Sequence, residues 1–128
     1  MTRSVRLIAL VVCSGALCAI APALGSADPA VHASGKCKLS SKEQRGGLGP
    51  TYVTSLSVSH VSCKTGKSLV KAYYKCRVKA GGVKGRCVKK VSGYSCRETR
   101  SGISVQFNAS VTCKRGKKVV KHSYTQNT

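Results

Sequence analysis

The strongest structural pattern in the chain lies in residues 103–124, which have the sequence ISVQFNASVTCKRGKKVVKHSY. From Ile103 to Cys113, Val105 included, apolar or small residues occupy every second position and polar residues occupy the positions between them. A period of two is typical of a strand with one buried face. A glycine turn follows, and Val119 to Tyr124 can return as the antiparallel partner. This segment therefore predicts a β-hairpin.

Upstream of this hairpin, the stretch from Ser62 to Arg77 has a helical period instead. At about 100° per residue, its apolar and small residues fall on one side of a helix. The other side holds four lysines, which are Lys64, Lys67, Lys71 and Lys75. Serine is a favoured N-cap residue, and Ser62 stands just before the pattern begins. The stretch therefore predicts an amphipathic helix with one basic face.

Two further segments have the alternation of strands. Leu56 and Val58 alternate with serines after Thr51. Gly93 to Arg97 predicts another short strand, which turns near Thr99 to Gly102. With the hairpin and the helix, the fold class is predicted as α+β: a small disulfide-braced module, mainly an antiparallel sheet with one covering amphipathic helix.

Residues 61–74 and 111–124 resemble each other and are identical at 8 of 14 positions. The first segment is predicted to be mainly helix and the second a hairpin. A true repeat would give both segments the same structure, so the sequence alone leaves the origin of this similarity open.

The amino terminus predicts export. Arg3 and Arg6 precede an apolar run that ends in small residues at Ala27, which is the pattern of a secretory signal peptide. The run is too short for a membrane span. We therefore expect residues 1–27 to be a signal peptide, residues 28–50 a flexible N-terminal arm and residues 51–128 a disulfide-bonded α+β domain. The expected location is secreted or extracellular.

The cysteine content agrees with export. Removal of residues 1–27 leaves an even number of cysteines, and an even number in an exported chain predicts three disulfides. These are Cys37, Cys63, Cys76, Cys87, Cys96 and Cys113. The sequence leaves their pairing open.

Three short motifs suggest a family. They are Val61-Ser62-Cys63 before the helix, Gly93-Tyr94-Ser95-Cys96 on a strand, and the segment VTCKRGK from Val111 before the last strand. In these motifs the chain resembles small secreted cysteine-containing α+β domains of high-GC Gram-positive bacteria, from about Thr51 to Tyr124. The resemblance implies a compact bacterial α+β fold outside the cytoplasm and implies no particular activity. Cys37, Cys76 and Cys87 are additions to the pattern.

Charge is the main indication of function. The chain has 23 Lys plus Arg against 3 Asp plus Glu, a formal net charge of +20. Such an excess attracts polyanions. The sequence therefore predicts a secreted non-enzymatic binding or structural protein that associates with anionic polymers of the cell envelope. The candidate contacts are Lys64, Lys67, Lys71 and Lys75 on the helix, and Lys114, Arg115, Lys117 and Lys118 around the hairpin turn.

Three alternatives stay open. A small ribonuclease could use His60, His122 and Glu98, although so few acids exclude most hydrolase mechanisms and we assign no catalytic residue. A protease inhibitor could present a loop at Lys42 to Pro50 or at Val78 to Arg86. A cationic antimicrobial protein would also fit the charge. No spacing among His32, His60 and His122 favours a metal site, and no cofactor or transmembrane segment is predicted.

Overall fold

A computed structural model describes residues 34–128 of the 128-residue chain. The described part contains β1 (Gly35–Lys36), β2 (Tyr52–Ser59), α1 (Cys63–Lys79), β3 (Ser95–Ile103), β4 (Gln106–Arg115) and β5 (Lys118–Asn127). A short helical turn at Glu43–Gly47 precedes β2, and a 3-10 turn at Gly82–Lys84 follows α1. The predicted signal peptide lies outside the described residues.

The strands form one five-stranded sheet in the order β1-β2-β5-β4-β3, with every neighbouring pair antiparallel. Strands β4 and β5 make the predicted hairpin, and Gly116 takes a positive φ of 56° at its turn. On β4 the buried positions alternate as predicted, at Phe107, Ala109, Val111 and Cys113. Together with one main helix and three disulfides, this sheet confirms the α+β, disulfide-rich fold class.

The first strand of the hairpin begins later than the sequence predicts. Ile103 ends β3, Ser104 and Val105 form a turn, and β4 starts at Gln106. Ile103 is 71% exposed and Val105 60% exposed, so the prediction that both lie on the buried face is wrong. The predicted turn at Thr99 to Gly102 is wrong as well, because those residues belong to β3. The apolar alternation continues through a two-residue turn, so the pattern itself does not reveal where the chain reverses.

Helix α1 forms over the predicted segment. The Thr65 backbone N–H donates a hydrogen bond to the Ser62 hydroxyl at 3.1 Å, which confirms Ser62 as the N-cap. The buried positions of the helix are Gly66, Leu69, Val70, Tyr73 and Arg77. Residues 61–74 and 111–124 therefore differ in structure as predicted, since the first segment enters a helix and the second forms a hairpin.

Three disulfides brace these elements, which confirms the prediction of three bridges among the six cysteines. Cys37–Cys63 joins the segment before β2 to the first turn of α1, and Cys76–Cys87 joins the end of α1 to the loop before β3. Cys96–Cys113 joins β3 to β4, where the two residues lie directly opposite each other. Each bridge contributes about 2–4 kcal/mol in a domain of this size.

Residues 34–50 contribute to the fold in three places. Strand β1 pairs with β2 through Gly35 and Lys36. Leu48 is only 1% exposed, and Pro50 is buried. The Cys37 N–H also donates a hydrogen bond to the Leu56 carbonyl at 2.8 Å, which continues the pairing beyond β1.

Side chains of α1 contact one face of the sheet. The Tyr73 ring meets the His122 ring edge-on at 5.7 Å between centroids, and Arg77 Cζ lies 4.6 Å from the centre of the Tyr124 ring. Near the start of the helix, Gly66 lies close to Val58: a Cβ atom added at Gly66 would be 2.8 Å from Val58 Cγ1. A larger residue at position 66 would therefore force Val58 or the helix to shift.

Replacement of Gly66 by alanine tests this close approach. The gain in helix propensity is about 1 kcal/mol, but overpacking costs about 1–3 kcal/mol, so we expect Gly66→Ala to lower the free energy of unfolding. Urea denaturation under non-reducing conditions measures it. Val58→Ala makes room for the new methyl group, so Gly66→Ala should destabilise the Val58→Ala protein less than the wild type. Equal losses in the two backgrounds would contradict the contact.

Candidate functional site

Both carboxylate side chains of the described residues form ion pairs with cations of the same chain. Glu43 Oε2 accepts hydrogen bonds from Lys67 Nζ and from the Ser40 N–H, both at 2.9 Å. The hydrogen bond from Lys67, followed by the one from Ser40, lowers the pKa of the Glu43 carboxyl to about 2. Glu43 is therefore ionised at neutral pH and neutralises one lysine of the predicted basic helix face.

The second carboxylate, Glu98 on β3, lies in a buried polar cluster between α1 and the sheet. Tyr73 Oη donates to Glu98 Oε2 at 2.5 Å, Arg100 Nε donates to Glu98 Oε1, and Arg77 Nε lies 3.9 Å from Glu98 Oε2. Arg77 has no solvent exposure, and it donates to the carbonyls of Val83 at 2.6 Å and Gly85 at 3.3 Å. Burial lowers the pKa of Arg77 and raises that of Tyr73. The cluster joins the helix, the loop after it and β3.

These two sites engage both of the acidic side chains that residues 34–128 contain. Residues 34–128 contain 21 of the 23 basic residues, because only Arg3 and Arg6 precede them. Within this described range, only Lys67, Arg77 and Arg100 have a carboxylate within 4.0 Å. The remaining cations have no acidic partner there, so they repel one another and attract anions.

The basic face of α1 is arranged as the sequence predicts. Lys64, Lys71 and Lys75 are exposed, and Lys67 is half-buried beside Glu43. With a rise of about 1.5 Å per residue, the three exposed lysines span about 16 Å along the helix. Lys64 belongs to the first turn of α1 and so lies near the positive end of the helix dipole. No acidic residue in this turn balances the positive charge. A bound anion would therefore be stabilised at this end of the helix.

The predicted hairpin cluster also lies at the surface. Lys114, Arg115, Lys117 and Lys118 are all exposed around the β4–β5 turn. Arg115 is held by its neighbours, since its Cζ lies 4.9 Å from the centre of the Tyr94 ring and its Nη1 donates to the Ser92 carbonyl at 3.3 Å. The side chains of the three lysines have no hydrogen-bond or carboxylate partner within residues 34–128.

Helix α1 begins at the end of the sheet where the β4–β5 turn lies. Ser59, the last residue of β2, pairs with Val119 next to the hairpin turn. Three residues separate Ser59 from Cys63, and such a link spans at most about 14 Å. Lys64 therefore lies towards the same end of the sheet as the hairpin cluster, whereas Lys71 and Lys75 lie further along the helix.

The sequence did not reveal a third basic group, which the pairing of the strands brings together. Lys36 pairs with Ser57, Ser57 with Lys121, Lys121 with Thr112, and Thr112 with Arg97. Residues opposite one another on neighbouring strands project from the same face. Lys36, Lys121 and Arg97 therefore form one line across all five strands, called here the sheet row, and all three are exposed.

The residues considered for a ribonuclease are not brought together at the surface. His122 is 2% exposed, and burial is the main cause that lowers its pKa to about 4. Glu98 is bound to Tyr73 and the two arginines, and His60 is exposed in the turn between β2 and α1. General acid–base catalysis requires contact with substrate, which His122 cannot make in this arrangement. His32 lies outside the described residues.

The two loops considered for a protease inhibitor differ in accessibility. Lys42 to Pro50 includes the buried Leu48 and Pro50. The loop within Val78 to Arg86 is exposed at Val83, Lys84 and Arg86, and the carbonyls of Lys84 and Gly85 accept hydrogen bonds from Arg100 at 2.7 and 2.5 Å. This second loop is therefore anchored to β3.

Comparison with known proteins gives no assignment: no family model, no curated protein and no solved structure matches the chain. Among the described residues, no helix is long and apolar enough to cross a membrane.

Proposed function

We propose that this chain is a secreted, non-enzymatic protein that binds anionic polymers of the cell envelope. The observation that supports this function is the engagement of both described carboxylates, Glu43 and Glu98, in internal ion pairs. No other lysine or arginine of residues 34–128 has a carboxylate within 4.0 Å, so these charges are available to an external anion. A polyanion would neutralise these charges on binding, with release of its counterions.

An extended partner fits the distribution of charge better than a small ligand does. The exposed lysines of α1 span about 16 Å, and the hairpin cluster extends this basic surface at the end where Lys64 lies. A small anion would contact only part of this surface. A polymer could contact Lys64, Lys71, Lys75 and the hairpin cluster together.

The proposed location outside the cell is supported by the three disulfides, since such bonds persist in oxidising compartments. The predicted signal peptide and the resemblance to secreted bacterial domains agree with it. The proposal also takes α1 as the cover of the apolar face of the sheet, which the contacts of Tyr73 and Arg77 support. An antimicrobial function would need a free apolar helix face to insert into lipid, and these contacts occupy that face.

The salt dependence of binding tests the basic face of α1. Lys64→Gln, Lys71→Gln and Lys75→Gln together remove its exposed charges and leave the Lys67–Glu43 pair intact. We expect weaker binding to a polyanion such as polygalacturonate and a flatter plot of log affinity against log salt concentration, because fewer counterions are released. Isothermal titration calorimetry between about 50 and 200 mM salt covers the range over which such binding changes most.

The matched control replaces three exposed cations of the loop between α1 and β3, in Arg86→Gln, Lys89→Gln and Lys90→Gln. Both triple variants have the same net charge, so a local basic face predicts a greater loss for the helix variant. Wild-type protein that binds no polyanion even at low salt would disprove the proposed function.

A further inference from the structure

The side of the sheet turned away from α1 is called here the open face. Along each strand, residues of the open face alternate with residues that face α1. The sheet row lies on the open face, whereas His122 and Glu98 lie on the face towards α1. Neighbouring strands are about 4.8 Å apart. Lys36, Lys121 and Arg97 occupy alternate strands, so successive cations are about 10 Å apart along a straight line.

A second line of polar groups runs parallel to the sheet row, and it contains only hydroxyl side chains. Ser55 pairs with Ser123, Ser123 with Ser110, and Ser110 with Thr99. These four residues, the hydroxyl row, lie two positions from the sheet row along each strand, which is about 7 Å. Ser110 Oγ and Ser123 Oγ are 3.3 Å apart, and each hydroxyl can make further hydrogen bonds with a ligand.

The surface along these rows is concave rather than smooth. A depression of about 310 Å³ is lined by Thr99, Ser110 and Ser123 of the hydroxyl row. Two more, of about 300 and 460 Å³, lie beside Lys36 with Lys121 and beside Arg97 with Thr112. The three depressions therefore follow the two rows across the sheet.

The charges of this face favour one class of ligand. In the described residues neither row contains a carboxylate, because Glu98 projects from the opposite side of β3 and Glu43 is paired with Lys67. Neither row contains an aromatic residue, so the stacking platform that single-stranded nucleic acids require is absent from both. Cations in a line beside a line of hydroxyls complement a chain that has acidic groups and many hydroxyls.

We infer that the open face binds a linear acidic polysaccharide laid across the strands. The sheet row pairs with its carboxylates or other acidic groups, and the hydroxyl row hydrogen-bonds its sugar hydroxyls. This inference rests on the proposed function, since it names a class of envelope polymer and a second surface that binds it. The helix and hairpin lysines attract any polyanion, whereas the open face selects a hydroxylated one.

The test compares polygalacturonate with inorganic polyphosphate as probes, using the secreted full chain. Lys36→Gln, Arg97→Gln and Lys121→Gln together should weaken polygalacturonate binding about tenfold or more at low salt. The control Arg86→Gln, Lys89→Gln and Lys90→Gln removes the same charge from the loop and should cost clearly less. Ser110→Ala with Ser123→Ala keeps the charge and should weaken polygalacturonate binding about fivefold, because two hydrogen bonds to sugar hydroxyls are lost. The same pair should leave polyphosphate binding unchanged.

The outcomes separate this inference from the proposed function. Equal losses for the sheet-row and control variants would overturn the open face as a site and leave polyanion binding intact. Unchanged polygalacturonate binding by the double alanine variant would overturn the polysaccharide as the ligand in favour of an unselective anion surface. Wild-type protein that binds neither probe would disprove the proposed function itself. Circular dichroism of each variant confirms that the exposed substitutions leave the fold unchanged.

Discussion

Glu98→Gln should lower the free energy of unfolding by about 3–5 kcal/mol, because removal of one partner leaves a buried charge uncompensated. Arg77 has no solvent exposure, and its Nη1 has no hydrogen-bond partner among the described residues. Glutamine keeps the shape of the side chain and a hydrogen-bond acceptor for Tyr73. It has no negative charge to neutralise Arg77 and Arg100. Urea denaturation under non-reducing conditions measures the loss.

Two controls isolate the buried charge. Glu43→Gln removes the other described ion pair, which lies at the surface with Lys67, and should change stability little. Arg77→Met combined with Glu98→Gln removes the fully buried cation together with the carboxylate, so no unpaired charge is left at position 77. The double variant should therefore be more stable than Glu98→Gln alone. A Glu98→Gln protein as stable as Glu43→Gln would contradict the role of the cluster.

The small number of acidic residues links the buried pair of Arg77 and Glu98 to the charge of the surface. A buried arginine requires a carboxylate, and of the two described carboxylates only Glu98 lies near Arg77. Because Glu98 is used in the core, it cannot neutralise any exposed lysine. The stability of the fold and the uncompensated charge of its surface therefore depend on the same residue.

Elements with a local signal were predictable from the sequence. Helix α1 formed where its periodicity indicated, with Ser62 as its cap, and the hairpin formed from Gln106 onwards. Arg77 was missed because a charged residue is counted as polar, although it continues the buried stripe four positions after Tyr73. The turn at Ser104 and Val105 was missed because alternation continues through it.

The candidate site also has one part that the sequence predicted and one part that it did not. The lysines of α1 lie on one face because they are three or four residues apart, which is close to one helical turn, so their grouping is local and predictable. The sheet row is not local: Lys36, Lys121 and Arg97 align only because β1 pairs with β2, β2 with β5, β5 with β4, and β4 with β3. The order and register of strands depend on tertiary packing, which no periodicity in the chain specifies.

The stability of the protein should fall by about 2 kcal/mol between pH 7 and pH 5 through the protonation of His122. Burial lowers its folded-state pKa from 6.5 to about 4, with Arg77 adding to the shift and Glu98 opposing it. Below pH 6.5 the unfolded chain binds a proton that the folded protein excludes, so acid favours unfolding. The loss begins near pH 6.5 and is complete below about pH 4, where both states are protonated. Urea denaturation at a series of pH values measures it.

The pH range and a matched pair of variants assign this effect to one residue. The lowered pKa of Glu43 stabilises the fold above pH 4.5 and loses this effect as the pH falls towards 2, so pH 7 to 5 lies outside its range. His122→Leu removes the buried titrating group and should make stability nearly independent of pH in this range, whatever its stability at pH 7. Val111→Ala changes the buried residue that pairs with His122 on β4, removes no titrating group, and should keep the wild-type pH dependence whatever its stability at pH 7. A His122→Leu protein that loses as much stability as the wild type between pH 7 and pH 5 would show that another group is responsible.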